Sequence, residues 1–264
     1  MSPAQDETER LRCAGLTIGF GSRIVQRDLT FSVRHGSVFA VMGPSGCGKS
    51  TLLRAMIGLL RPLKGSVMVD GEDLWAAPAE RRSEIGRRLG ILFQSGALWS
   101  SMTLAENVAL PLQMFTNLDA AAIDELVRLK LSLVGLSGAE TRMPSELSGG
   151  MRKRAGLARA LALDPDILFF DEPSAGLDPV ASSRLDELIL ELRDGLGATV
   201  VIVSHELASL FAICDDGIFL DPETKTAVAY GAPRVLRDTS DVRQVRDFMR
   251  ADPSDRRAVS PACA

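Results

Sequence analysis

Histidine is nearly absent from this 264-residue chain, occurring only as His35 and His205, and aromatic residues make up 5% of it. The four cysteines, Cys13, Cys47, Cys214 and Cys263, show no paired metal-ligand spacing. That excludes a cysteine-held zinc module, and reduced thiols are expected. No stretch approaches the roughly 18 uninterrupted apolar residues of a membrane span, so work at a membrane would need a partner. A basic field is missing too: 30 Lys and Arg stand against 34 Asp and Glu, a formal net charge of −4. That balance argues against a nucleic-acid partner. The opening Met1-Ser2-Pro3-Ala4-Gln5-Asp6-Glu7 is polar and acidic and lacks the apolar core of a signal peptide. A cytosolic chain is the expectation.

What is present is an ordinary globular mixture, 46% hydrophobic and 24% charged. The length suits one domain carrying an inserted subdomain. Short apolar segments broken by turn residues predict strands at Leu16–Phe20, Leu29–Val33, Val38–Met42 and Val67–Asp70. Near-continuous apolar runs at Ile91–Phe93, Ile167–Phe170 and Thr199–Val203 predict parallel strands covered on both faces. Alternation with helices, the first over Ser50–Leu60 and ended near Gly58 to Pro62, points to an α/β core. Between Gln94 and Leu163 the pattern turns helical, with Ile123, Val127, Leu131 and Val134 on one face. This predicts a helical subdomain, about residues 95–163, inserted into a domain spanning 8–245. A C-terminal tail is expected over 246–264, loosely ordered beyond about Arg250.

The chemistry concentrates in a few places. Gly43-Pro44-Ser45-Gly46-Cys47-Gly48-Lys49-Ser50 has the spacing of a phosphate-binding loop between a strand and a helix. Its glycines let backbone N–H groups converge on phosphate oxygens, and the helix N-terminus faces the same anion. Lys49 adds a point charge, the Ser50 hydroxyl suits Mg2+, and Thr51 offers a further phosphate contact. Asp171, at the end of an apolar strand, is placed to hold Mg2+ through water, and Glu172 to act as general base toward an attacking water. Cys47, beside Lys49 and a helix start, predicts either a reactive thiol or a small space-filling residue. His35 reads as surface.

A third element decides between function classes. Leu147-Ser148-Gly149-Gly150-Met151 lies between the phosphate loop and the Asp171-Glu172 pair, and it starts a helix. One molecule with one phosphate loop has no evident need for a second anion grip. This ordered set resembles the ATP-binding-cassette (ABC) ATPase family over nearly the whole chain. The resemblance implies a P-loop NTPase core with an antiparallel β subdomain as well as the helical one. It implies that Ser148, Gly149 and Gly150 grip ATP held by a second copy, and that Asp178, in Ser174–Pro179, lies along the seam near the partner's phosphate loop. Also on resemblance, His205 corresponds to a histidine that contacts the γ-phosphate, Gln94 to a Mg2+ ligand linking core and helical subdomain, and Phe20 to an aromatic under adenine. Core packing is the competing reading of Phe20. Lys49, Glu172 and His205 are the expected catalytic set; Ser50, Gln94 and Asp171 are the expected metal set.

Met151 stands where many relatives have glutamine. Together with Phe93–Trp99, Met102-Thr103, Glu106–Leu112 and Met143–Met151 it resembles the ATPases of Mla-type lipid-transport systems. That resemblance implies a homodimer under an integral-membrane permease, with a lipid-binding envelope protein and a small cytosolic regulatory subunit, at the cytoplasmic face of the inner membrane. Leu98 and Trp99 would line a groove for a permease helix, unless Trp99 packs in the subdomain core. Arg81-Arg82 and Arg87-Arg88 read as a solvated helical face or as headgroup contacts. The alternatives are the ATPase of a small-solute importer, or a soluble cassette acting on DNA or ribosomes, which typically adds coiled coils, zinc cysteines or a second cassette.

Overall fold

The computed structural model describes residues 9–250. Residues 1–8 and 251–264, including Cys263 and most of the expected tail, lie outside the described residues.

Strands β1 (Glu9–Phe20) and β2 (Arg23–Arg34) form an antiparallel hairpin. Leu11, Cys13, Leu16 and Ile18 on one strand and Leu29, Phe31 and Val33 on the other turn inward, the alternation of a sheet with one wet face. β4 (Lys64–Val69) pairs with β1, and β5 (Glu72–Asp73) completes a four-stranded sheet ordered β2-β1-β4-β5. The second sheet is built from β3 (Val38–Met42), β6 (Leu89–Leu92), β7 (Ile167–Asp171), β8 (Thr199–Val203), β9 (Asp216–Asp221) and β10 (Thr226–Tyr230). Its order is β10-β9-β3-β8-β7-β6, parallel except for β10 against β9.

Helix α1 (Lys49–Met56) packs against strands of both sheets, and its Leu52, Leu53 and Met56 join a core with Leu16, Phe39, Val41 and Phe169. The opposite face of the larger sheet carries α3 (Leu104–Phe115), α4 (Ala120–Leu133), α5 (Gly149–Ala160) and α6 (Pro179–Leu196). Ile123, Val127, Leu131 and Val134 are all buried there, with Val108, Leu157, Phe170 and Ile202. The first three of these helices lie in sequence between β6 and β7. A third core gathers α7 (Leu207–Ile213), α8 (Pro233–Thr239) and α9 (Arg243–Met249) around Met42 and Phe219. α2 (Ala79–Arg87) flanks β6.

Several boundaries differ from the sequence-based expectation. α1 ends at Met56, just ahead of Gly58, whose left-handed φ of 81° marks the near edge of the stop expected over Gly58 to Pro62. β4 stops at Val69 in the same way, Asp70 having a φ of 47°. Residues 246–249 of the expected tail are helical, in α9, with Val245 and Met249 buried. Its two inward residues are too few to announce a helix in the sequence.

Candidate functional site

Strand β3 delivers the chain into Gly43, and α1 leaves at Lys49, so the phosphate loop sits at the C-terminal edge of the parallel sheet, where open α/β sheets place ligands. Gly43, Gly46 and Gly48 have φ of 140°, 79° and 107°. A Cβ on Gly43 would stand 2.5 Å from the Leu220 carbonyl oxygen, and one on Gly48 2.6 Å from Val25 Cγ1. Only glycine satisfies both the dihedral and the space. Lys49 is buried, and its Nζ donates to the carbonyls of Gly43 at 2.8 Å and Pro44 at 3.1 Å. An ammonium satisfied only by loop carbonyls is free to exchange them for phosphate oxygens.

The loop forms the floor of a cleft of about 660 Å³ lined also by Phe20, Thr51, Gln94, Glu172 and His205. From its wall the Ser50 hydroxyl donates to Asp171 Oδ1 at 3.1 Å. Burial pushes the Asp171 carboxyl up, Ser50 opposing and the neighbouring Glu172 adding to the rise. Among the described residues no three His, Cys, Asp or Glu side chains gather to hold a metal. A hydroxyl, an amide oxygen and one desolvated carboxylate fit Mg2+, which keeps waters and leans on phosphate oxygens.

Glu172 follows β7 with φ 52°, a rare conformation for a residue with a side chain. Its N–H donates to the Val203 carbonyl at 2.8 Å, and its carboxylate meets His205 Nδ1 at 2.8 Å and the Ser204 hydroxyl at 3.4 Å. Strain of this kind, over-determined by neighbours, is a feature of functional sites. In the tautomer that carries its proton on Nδ1, the His205 ring donates to the Glu172 carboxylate.

A second cleft, of about 310 Å³, is lined by Ser148, Gly149, Gly150, Met151, Leu177 and Asp178 among others, and it shares no residue with the first. Ser148 caps α5, its Oγ accepting from the Met151 N–H at 3.3 Å. Asp178 caps α6 through the N–H groups of Val180 and Ala181, both at 3.0 Å. Each cleft includes the first residues of a helix, α1 in the first and α5 in the second.

Comparison with known proteins bears on these two clefts. The family described as ABC transporter matches residues 26–175, which include the phosphate loop, Ser148–Gly150 and Asp171-Glu172. The chain belongs to the ABC transporter family. It is 44% identical over 229 residues to the intermembrane phospholipid transport system ATP-binding protein MlaF of Escherichia coli, covering 87% of this chain and 84% of that protein. It is 45% identical over 235 residues to the probable ribonucleotide transport ATP-binding protein mkl of Mycobacterium tuberculosis, covering 89% of this chain. The chain spans 65% of that relative's length. Among solved structures, the dimeric ATP-binding cassette MJ0796 bound to ADP and Pi superimposes with a TM-score of 0.75 at 27% identity, covering 83% of this chain and 97% of that one. The cbiO1 subunit from Clostridium perfringens gives 0.78 at 25% identity, covering 86% and 90%.

In this ABC chain the first cleft gathers Phe20, Lys49, Ser50, Thr51, Gln94, Glu172 and His205; Ser148, Gly149, Gly150 and Asp178 stand apart from it. Phe20 is 52% exposed, which removes the core-packing reading. Trp99 is 57% exposed, so it is not subdomain core, and its backbone is held by Asn107. Leu98 is partly buried against the helical core. Cys47 corrects the reactive-thiol expectation: it is 2% exposed, and burial pushes its thiol up against the opposing pull of Lys49. The four arginines are not simply solvated. Arg81 pairs with Glu72 and Glu84, Arg82 and Arg87 lie over the Trp75 and Phe115 rings, and Arg88 pairs with Asp70 and Asp166.

Sequence reasoning missed Gln26, Arg23 and Lys225. Arg23 and Lys225 line the first cleft. Fully buried Gln26 donates from Nε2 to the Cys47 carbonyl at 2.6 Å and the Asp221 carbonyl at 3.1 Å, clamping the phosphate loop to the β9–β10 turn. Alternation from Leu29, Phe31 and Val33 places Gln26 on the polar outer face; the left-handed Asp28, φ 51°, shifts the register and turns it inward, so the sequence offered no signal.

Proposed function

We propose that this chain is the ATP-hydrolysing subunit of a membrane transporter, closing as a two-fold dimer on two ATP molecules to drive an integral-membrane permease. The observation that carries the reading is the separation of the two clefts: one chain holds a complete phosphate loop and, elsewhere, an unmatched second anion grip. A two-fold pairing satisfies both at once, each Ser148–Gly150 facing the other copy's phosphate loop, with Asp178 on the seam. In that arrangement the loop N–H groups, Lys49 and Thr51 bind phosphates, Phe20 underlies adenine, and Ser50, Gln94 and Asp171 hold Mg2+. Bound Mg2+ supplies charge that neutralises the phosphate oxygens. Glu172 takes the proton of the attacking water at a carboxylate oxygen, and His205 orients that carboxylate.

The cargo we assign is phospholipid, moved between envelope membranes with a lipid-binding protein and a small regulatory subunit, from the cytoplasmic face of the inner membrane. Similarity to MlaF supports it. Among the described residues no helix is long and apolar enough to cross a membrane, which fits a subunit seated on a permease. The name of the mycobacterial relatives favours a second reading, a small-solute importer; phospholipid or nucleotide recovered with the purified permease complex separates the two.

A paired variant experiment tests the mechanism. Glu172→Gln lowers kcat by about 100- to 10,000-fold, keeps ATP binding and accumulates as a dimer on size exclusion. Ser148→Arg blocks turnover and dimerisation while each subunit still binds ATP. Near wild-type turnover of Glu172→Gln removes it from the base role, and loss of ATP binding in Ser148→Arg refutes the pairing across subunits.

A further inference from the structure

Helix α5 touches more of the machinery than its N-terminal cap. Lys153, 6% exposed, sends its Nζ into a cage of backbone carbonyls: Pro173 at 2.5 Å, Ala175 at 2.6 Å and Glu172 at 3.3 Å. Three acceptors match the three donors of an ammonium. No ion pair to Lys153 occurs among the described residues, and burial pulls its ionisation down, with Glu206 and Glu172 opposing. A desolvated charge with no direct ion pair costs free energy that an apolar side chain of the same length would avoid. What the charge achieves is local: Glu172, in its rare φ, is held on one side by the Val203 carbonyl and on the other by Lys153.

The far end of the same helix ties down the other loop of the cleft. Arg159 donates to the Ala97 carbonyl at 2.7 Å and the Gly96 carbonyl at 3.3 Å, in the turn that follows Gln94. The loops that supply Gln94 and Glu172 to the first cleft thus hang from one helix, whose first turn lines the second cleft. Ser148 and Lys153 are separated by about 7.5 Å along its axis.

We infer that Lys153 is a positioning residue that transmits engagement of Ser148–Gly150 by a second subunit's nucleotide to Glu172 of its own subunit. This rests on the dimeric reading above. Movement of the α5 N-terminus carries the carbonyl cage with it, and the cage sets the backbone behind the base. ATP bound at one interface thereby sets the geometry of the carboxylate that serves the other.

The test compares wild type, Lys153→Met and Lys153→Arg as full chains. Steady-state ATP hydrolysis gives kcat, KM and the Hill slope; a fluorescent ATP analogue gives single-subunit binding; thermal unfolding reports folding. Lys153→Met is expected to lose about 10- to 100-fold in kcat with analogue binding unchanged and a Hill slope near one. Lys153→Arg, which keeps donors for the cage, should recover most of the rate and the slope. A Lys153→Met enzyme with wild-type kcat and slope overturns the inference. So does a variant in which binding and kcat fall together and arginine does no better than methionine. If Lys153→Met does not fold, Lys153→Gln decides: a reduced slope with intact binding supports the inference, and a wild-type slope refutes it. A wild-type protein that hydrolyses ATP without cooperativity and never dimerises would sink the dimeric reading itself. A cooperative wild type with an equally cooperative Lys153→Met would sink only the role of Lys153.

Discussion

Gly156→Ala adds one methyl group at the tightest contact between α5 and the turn after Gln94. The new Cβ would lie 2.8 Å from the Gly96 carbonyl oxygen, 2.9 Å from Leu92 Cδ1 and 3.0 Å from Gly96 Cα, where ordinary contact starts near 3.4 Å. Rotation of Leu92 relieves one of the three; the other two are backbone. Helix and turn must separate by about half an ångström against the two hydrogen bonds from Arg159. Overpacking of this kind costs about 1–3 kcal/mol, and the better helix propensity of alanine offsets about 1 kcal/mol of it. A net loss of up to about 2 kcal/mol lowers Tm by up to about 8 °C in a domain of this size. The turn carries Gln94, whereas the phosphate loop packs on the other face of the sheet. We therefore expect kcat to fall about 3- to 10-fold, within the range for sub-ångström displacement of a positioned group, with little change in binding of a fluorescent ATP analogue. Gly195→Ala is the control, since a Cβ there meets nothing within 4 Å in α6; it should hold or raise Tm. Calorimetry and steady-state hydrolysis decide the matter. A Gly156→Ala protein with unchanged Tm and unchanged kcat refutes the close-approach argument.

Two further outcomes follow from buried titratable groups. Burial, with repulsion from Glu206 and Glu187 and against a hydrogen bond from Ser209, raises Asp186 from 3.8 to about 6. Because the folded value lies above the ordinary one, this side chain contributes stability below about pH 4 that is lost as pH rises through about 6. Asp186→Asn should then raise Tm at pH 7.5 by about 2–4 °C, the gain of about 1 kcal/mol expected of a half-screened group, and the difference should close as pH falls from 6 to 4. Equal Tm values at pH 7.5 would contradict this. Cys47 should label with maleimide slowly in the native chain at neutral pH and rapidly in denaturant, followed by mass spectrometry of the tryptic peptide. Complete labelling within minutes in the native state would refute the burial argument.

The parts of the site that were legible are those whose chemistry is contiguous. A phosphate loop is a local object: strand, glycines, Lys49 and helix start occupy one short stretch, so spacing alone exposes it. Central strands were legible because β3 and β8 are buried on both faces and read as unbroken apolar runs. The periphery was not. β9 and β10 are short and flanked by Asp and Gly, while α7, α8 and α9 each bury only a few residues, too short a signal for periodicity.

By itself the sequence determined the family, the α/β core and the residue types able to bind a nucleotide, because these depend on local dihedral demands and on hydrophobic patterning. Tertiary structure alone decided which of those residues share a cleft and which stand apart. It also decided that Phe20 is open to the cleft while Cys47 is sealed, although both belong to segments read as nucleotide-binding. Lys153 and Gln26 acquire roles only through carbonyls brought to them by packing. A side chain's chemistry is written in the chain, but its partners are set by the fold.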